Sequence, residues 1–326
     1  MNWYPWLNQI YRQIIECHQN NRAHHSILIQ AIYGMGDDLL VWAISRWLMC
    51  LQQRGIKSCN YCHGCQLMTA HNHPDWYCLK AEEGKVTIGI DAIRDVVEQC
   101  YHCAQQGGAK VIWVQNTLQL TEEAHNALLK VIEEPPNNCW FFLSCNDYSN
   151  LPLTLRSRCI LFHIFPPEES YSLQWLQQKC SSSKEILHIA LKLSNGAPAA
   201  AFKFIESNLF EQRKILYETL LNALDKNLLL LVPVLNKKNV FDLLDWLISL
   251  LVDVIKVQQG AIKWINNSDY LDIIIKLSKE FNNLSLHKSI NHWIIGRKQI
   301  RLISTFEREI ILTERVLVWK QLLIRV

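Results

Sequence analysis

Two stretches of this chain are apolar at every position, Val111-Ile112-Trp113-Val114 and Trp140-Phe141-Phe142-Leu143. A strand with one face in water alternates apolar and polar residues, so unbroken runs read as strands covered on both faces, the condition met by parallel sheets with crossover helices. The neighbouring sequence supplies the remaining parts. Residues 26–30, 110–115 and 139–145 read as strands, and residues 37–51, 91–105 and 121–133 carry helical patterns between them. The two apolar runs are expected to be central strands of an α/β domain.

Proline marks where this pattern stops. Pro135-Pro136 ends the helix before the second apolar run, and Pro166-Pro167 follows a last strand at 160–165, which places the first domain at residues 1–165. Residues 166–207 read as a small lid-like unit of three helices, with Ser194-Asn195-Gly196 as a helix stop and a fresh helix from Pro198. In residues 208–326 no strand alternation survives, and 240–258 and 303–323 repeat apolar residues at helical spacing, so the third domain is expected to be an all-α bundle. A chain of 326 residues has room for two or three such cores.

Composition narrows the function classes. Hydrophobic residues make up 49% and charged residues 19%, the balance of a folded chain. The 33 basic and 30 acidic side chains leave a formal charge of +3, too little to draw the whole molecule onto nucleic acid or an anionic membrane. The start MNWYPWLNQIYRQ has no basic leader with an apolar core, so a cytoplasmic protein is expected. The most apolar run, 243–257, is broken by Asp245 and Asp253 and falls short of the roughly 20 residues that span a bilayer. Twelve cysteines in a reduced compartment point to metal ligation or core packing.

Their spacing favours metal. Cys50 is followed by Cys59-Asn60-Tyr61-Cys62-His63-Gly64-Cys65, four thiols within sixteen positions. Tetrahedral zinc takes four soft ligands, and two-residue gaps let one tight turn aim successive sulfurs at a single ion. Four thiolates from Cys50, Cys59, Cys62 and Cys65 would close the shell and leave no place for activated water, so a structural Zn2+ is expected. His63, His71, His73 and Cys78 lie nearby as spare donors.

Three further features bear on nucleotide chemistry. Tyr33-Gly34-Met35-Gly36-Asp37-Asp38 follows the first strand and opens a helix, as a phosphate-binding loop does, yet carboxylates stand where a working loop ends in Lys and Ser or Thr. Each close charge pair with a polyphosphate would cost about 1 to 4 kcal/mol. After the strand at 110–115, Gln115 and Asn116 take positions where an ATPase has a metal-holding Asp and a catalytic Glu, and neither amide accepts a proton or neutralises a divalent ion. The third feature, Thr154-Leu155-Arg156-Ser157-Arg158-Cys159, taken alone reads as a solvated loop.

Together these residues resemble one family, the delta-prime subunits of the bacterial DNA polymerase III clamp loader in the AAA+ superfamily. The resemblance rests on Trp3-Tyr4-Pro5-Trp6-Leu7, His24-His25, Gly34 to Asp38, the four cysteines, Asn126-Ala127-Leu128-Leu129-Lys130 with Glu133-Glu134-Pro135-Pro136, and Thr154 to Cys159. It covers residues 1 to about 165 well and then thins to Leu193-Ser194-Asn195-Gly196-Ala197-Pro198. The resemblance implies an open pentameric ring with delta and three gamma or tau ATPase subunits, joined through C-terminal collars and acting on the sliding clamp and primed DNA. It implies that this chain binds no ATP itself. It also maps the family's Ser-Arg-Cys motif onto Ser157, Arg158 and Cys159, making Arg158 an arginine finger for a neighbour's nucleotide. Ala199 stands where active relatives have a sensor arginine. One rival, an active AAA+ ATPase with an unusual loop, is opposed by Asp37, Asp38, Gln115 and Asn116. Another, a free-standing zinc protein gripping nucleic acid, has only Arg54, Lys57 and Tyr61 to offer, too few for a basic stripe with stacking aromatics.

Overall fold

A computed structural model describes residues 3–82, 85–301 and 307–323, which divide into two compact units, Met1–Pro167 and Glu168–Val326. The first is built on five strands, β1 (Ser26–Ala31), β2 (Trp76–Leu79), β3 (Lys110–Val114), β4 (Cys139–Cys145) and β5 (Ile160–Ile164), all parallel in the order β2-β3-β4-β1-β5. The two apolar runs are β3 and β4, and every residue of β3 is buried. Their register pairs Ile112 with Phe141 and Trp113 with Phe142, so successive pairs point to opposite faces.

Both faces are therefore apolar, and helices supply the cover. The helices are α1 (Asn8–Gln19), α2 (Asp37–Leu48), α3 (His63–Thr69), α4 (Ile90–Tyr101), α5 (Glu122–Glu133) and the single turn α6 (Leu153–Arg156); α1 packs against α2, and α4 against α5. Leu28, Ile112, Phe141 and Leu143 of the sheet pack with Ile93 of α4, Leu128 and Ile132 of α5 and Leu155 of α6 in one buried cluster.

Four elements of this unit were not visible in the sequence pattern: α1, α3, the turn α6, and the four-residue strand β2, which is half-exposed at the sheet edge. Two helices also stop earlier than their periodicity suggests. Helix α2 ends at Leu48 and releases Cys50 into a loop. Helix α4 ends at Tyr101, where the Lys110 ammonium donates to the carbonyls of Gln99 and His102, satisfying acceptors that a helix end leaves open.

The second unit contains α7 (Glu169–Lys179), α8 (Lys184–Leu193), α9 (Pro198–Glu206), α10 (Leu209–Asp225), α11 (Val232–Leu235), α12 (Val240–Gln258), α13 (Leu271–Glu280), α14 (Asn283–Arg301) and α15 (Arg308–Leu322). The stop after α8 is as read: Asn195 and Gly196 take φ of 51° and 81°, and Pro198 is the first residue of α9. The helical run read at 303–323 begins outside the described residues and is seen as α15. Buried apolar residues from Leu176 to Trp319 form one cluster. No helix among the described residues is long and apolar enough to cross a membrane.

A buried polar network crosses that cluster. Arg213 of α10, fully buried, makes a bidentate pair with Asp269 at 2.7 and 2.8 Å and a third bond to Asn267 at 2.9 Å. Asn267 in turn donates its backbone N–H and its side chain to Asp253 of α12. Removing one member leaves the others charged or unsatisfied away from water, which costs far more than the intact network contributes. Arg213→Ala is expected to destabilise this unit by about 3 kcal/mol, read from chemical denaturation of the full chain; a loss below about 1 kcal/mol would show that solvent reaches Asp269 freely.

Candidate functional site

Cys50 lies just past α2, Cys59 in the loop that follows, Cys62 caps α3 and Cys65 sits in its first turn. All four sulfurs lie within 4.8 Å of one another, with Cys59 Sγ to Cys65 Sγ at 3.9 Å and Cys62 Sγ to Cys50 Sγ at 4.0 Å. A tetrahedron of thiolates about 2.3 Å from a central ion has edges of about 3.8 Å, so the set fits zinc. Backbone N–H groups already point at the sulfurs: Cys59 N donates to Cys50 Sγ at 3.2 Å, Cys62 N to Cys59 Sγ at 3.3 Å and Cys65 N to Cys62 Sγ at 3.5 Å.

These donors stabilise thiolate. Burial opposes ionisation of Cys59, but the N–H groups of Tyr61 and Cys62 and the adjoining thiols outweigh it and draw that thiol down to about 6. Burial pushes Cys65 up to about 12 and raises Cys50 as well. The raised thiols of Cys50 and Cys65 would release protons as an ion enters. Gly64 permits the closure: a Cβ there would sit 2.3 Å from the carbonyl oxygen of Met49, so only glycine lets α3 approach the end of α2 this closely. Of the spare donors, His71 stacks on Trp42 at 4.5 Å and His73 accepts from Asp75 N at 3.2 Å. The cysteine set could hold a metal ion such as zinc.

The second feature lies at the carboxyl ends of the central strands, the usual binding edge of an open parallel sheet. Gly34 and Gly36 turn the chain from β1 into α2 with φ of 85° and 84°. A Cβ on Gly36 would fall 2.5 Å from Tyr4 Cδ2, so the Tyr4 ring lies directly over the loop. Tyr4 stacks on Trp6 at 4.8 Å, and Trp6 Nε1 donates to Met35 O at 2.9 Å, fixing the aromatic pair there. Sequence reasoning used Tyr4 and Trp6 only as family marks and missed this contact.

Asp37 and Asp38 open α2 beneath that ring. Burial, then the Asp38 carboxylate, raise Asp37 above the ordinary carboxylate range, while a hydrogen bond to Ser144 partly offsets them. Burial first and Asp38 second likewise raise Tyr4. Ser144 of β4 links the two neighbouring strands, accepting from Trp113 Nε1 of β3 at 3.2 Å and, through its carbonyl, from Thr117 Oγ1 at 2.9 Å. Asn116 caps the turn after β3 by accepting from Leu118 N at 3.2 Å. No side chain named at this edge carries positive charge.

The third feature is at the opposite end of the sheet. Arg158 follows α6 and precedes β5, and Cys159 Sγ meets Ser26 Oγ at 3.0 Å, level with the first residue of β1. The Gly34 loop leaves the last residue of β1, five positions on, a rise of about 17 Å. Arg158 donates from Nη1 to Thr154 O at 2.9 Å and to Ser157 Oγ at 3.2 Å, and from Nη2 to Glu133 Oε1 at 2.5 Å. Arg156 instead lies over the Tyr148 ring, 4.9 Å from its centre. The Glu133 partner was quoted in the sequence only as part of Glu133-Glu134-Pro135-Pro136, and spacing gave no sign of the pairing.

Three family models match. Residues 6–168 match one described as "DNA polymerase III, delta subunit", residues 167–205 one described as "DNA polymerase III subunit delta', AAA+ ATPase lid domain", and residues 207–321 one described as "DNA polymerase III, delta subunit, C terminal". DNA polymerase III subunit delta' of Buchnera aphidicola from Schizaphis graminum is 42% identical, spanning 99% of this chain and 98% of its own. The subunit of that name in Escherichia coli K12 is 39% identical over 97% and 95%. A solved gamma-subunit-related protein of Thermotoga maritima is 16% identical over 96% and 98%, with a TM-score of 0.44.

Purified without chelator, the chain is expected to retain one divalent ion, and Cys62→Ser and Gly64→Ala to lower the metal measured by elemental analysis. Full retention in both variants would contradict the four-sulfur site.

Proposed function

Because this chain belongs to the delta-prime family of DNA polymerase III subunits, we propose that it serves the clamp loader as a member that hydrolyses no ATP itself and lends Arg158 to a neighbour's ATP. The observation that carries this reading is the placement of two features at opposite ends of one sheet. The loop where a nucleotide fold binds phosphate lies under Tyr4 and beside two carboxylates, while Arg158 is about 17 Å away at the strand entries. An arginine so placed is out of reach of its own loop and suited to a site on another subunit.

The chemistry agrees with that division. A planar guanidinium gives bidentate bonds to phosphate oxygens and keeps its proton, which is what a developing phosphoryl charge requires. Ser157 and Cys159 fix the loop: Ser157 Oγ donates to Thr154 O at 3.0 Å, and Cys159 anchors to Ser26. On this reading the four cysteines hold a structural Zn2+ that ties α3 to the end of α2. Residues 166–207 act as a lid-like unit, with Ala199 buried where active relatives have a sensor arginine, and residues 208–326 form the collar that joins delta and the gamma or tau subunits. The assembled ring then acts on the sliding clamp and primed DNA in the cytoplasm.

Two measurements test this. The isolated chain is expected to show no ATP binding by calorimetry at high micromolar concentration, and a low-micromolar dissociation constant would revive an active ATPase. In a loader reconstituted with its ATPase subunits and delta, Arg158→Ala is expected to leave assembly intact while cutting clamp- and DNA-stimulated turnover. Supplied arginines accelerate phosphoryl transfer by about 10³ to 10⁵ in GTPases, and a loader with other working sites would lose less in total. Arg158→Lys should rescue poorly and Arg156→Ala should stay near wild type; the reverse order of effects would reassign the finger.

A further inference from the structure

The Arg158 fork is not free in this chain. Nη1 is taken by Thr154 O and Ser157 Oγ, and Nη2 by Glu133 at 2.5 Å, so both amino groups that would grip a phosphate already have partners on the same domain. Glu133 is the last residue of α5, where the helix dipole disfavours a carboxylate. Its placement therefore costs the helix something, and the compensation visible in the structure is Arg158. Neither partner is deeply buried, with side chains 36% and 47% exposed, so the pair is worth only what surface ion pairs are worth and can be exchanged for a stronger anion.

We propose that Glu133 is a positioning residue that latches Arg158 onto its own domain until a neighbour's nucleoside triphosphate displaces it. This rests on Arg158 being a finger in trans. One carboxylate competes against a polyphosphate, so the latch releases to a triphosphate more readily than to a diphosphate. A latch lowers the apparent affinity of the engaged state by the fraction of fingers already free. Surface pairs of this kind correspond to a shift of about two- to fivefold.

Glu133→Gln keeps the shape of the side chain and removes its charge. In a reconstituted loader of confirmed size, it is expected to lower the KM for ATP in clamp- and DNA-stimulated turnover about two- to fivefold with kcat unchanged. Glu133→Asp, which keeps the charge, should stay closer to wild type. In an Arg158→Ala background, Glu133→Gln should change nothing. A fall in kcat would instead make Glu133 a support of the engaged finger, and an effect that persists without Arg158 would place its action elsewhere; both overturn the latch. An unchanged KM alongside an impaired Arg158→Ala loader refutes the latch alone. An Arg158→Ala loader matching wild type removes the finger and the latch together.

Discussion

The burial of β3 and β4 on both faces is the constraint from which the first unit follows. Strands with Trp113, Phe142 and their neighbours pointing alternately to two sides need helices on both, and parallel pairing is what returns the chain through a helix each time. Parallel strands also have two chemically different ends. Turns into helices gather at the strand exits, where Gly34, Gly36, Gln115 and Asn116 lie, and connections returning from helices gather at the entries, where Arg158 and Glu133 lie. The distance between the two sets is the length of the sheet, so no local rearrangement of a side chain joins them.

Each end is held by contacts that suit different tasks. At the exits, Ser144 ties β4 to Asp37 and Trp113, and the Tyr4 and Trp6 rings close over the loop. Around Arg158 at the entries the contacts are partly exposed: one ion pair, two bonds to a loop carbonyl and a hydroxyl, and the Cys159 anchor. Partly exposed pairs of this kind exchange at small cost. The cysteine cluster depends on one close approach, Gly64 against Met49.

The sequence made the sheet legible because fully buried strands leave an unmistakable mark, as the runs at 111–114 and 140–143 did. The thiol cluster was equally legible, since short-range spacing alone brings Cys59, Cys62 and Cys65 together, with Cys50 delivered by the end of α2. Strand β2 escaped notice because a four-residue edge strand is half-exposed and carries no periodicity. Tyr4 on Gly36 and Glu133 on Arg158 escaped for a different reason: their partners lie 32 and 25 positions apart, respectively, and no local pattern encodes a contact of that range. Helix ends were set by tertiary events, such as the Lys110 ammonium at the end of α4.

On the proposed function, the phosphate-loop end of this subunit is closed by its own residues and its arginine serves a neighbour. The most direct measurement is a cryo-electron microscopy structure of the assembled loader with a non-hydrolysable ATP analogue. The expected structure has the Arg158 fork about 2.7 to 2.9 Å from the terminal phosphate held by the adjacent subunit, with Tyr4 still seated on Gly36. Nucleotide density over the Gly34–Gly36 turn with Tyr4 displaced, or an Arg158 remote from every phosphate, would contradict it.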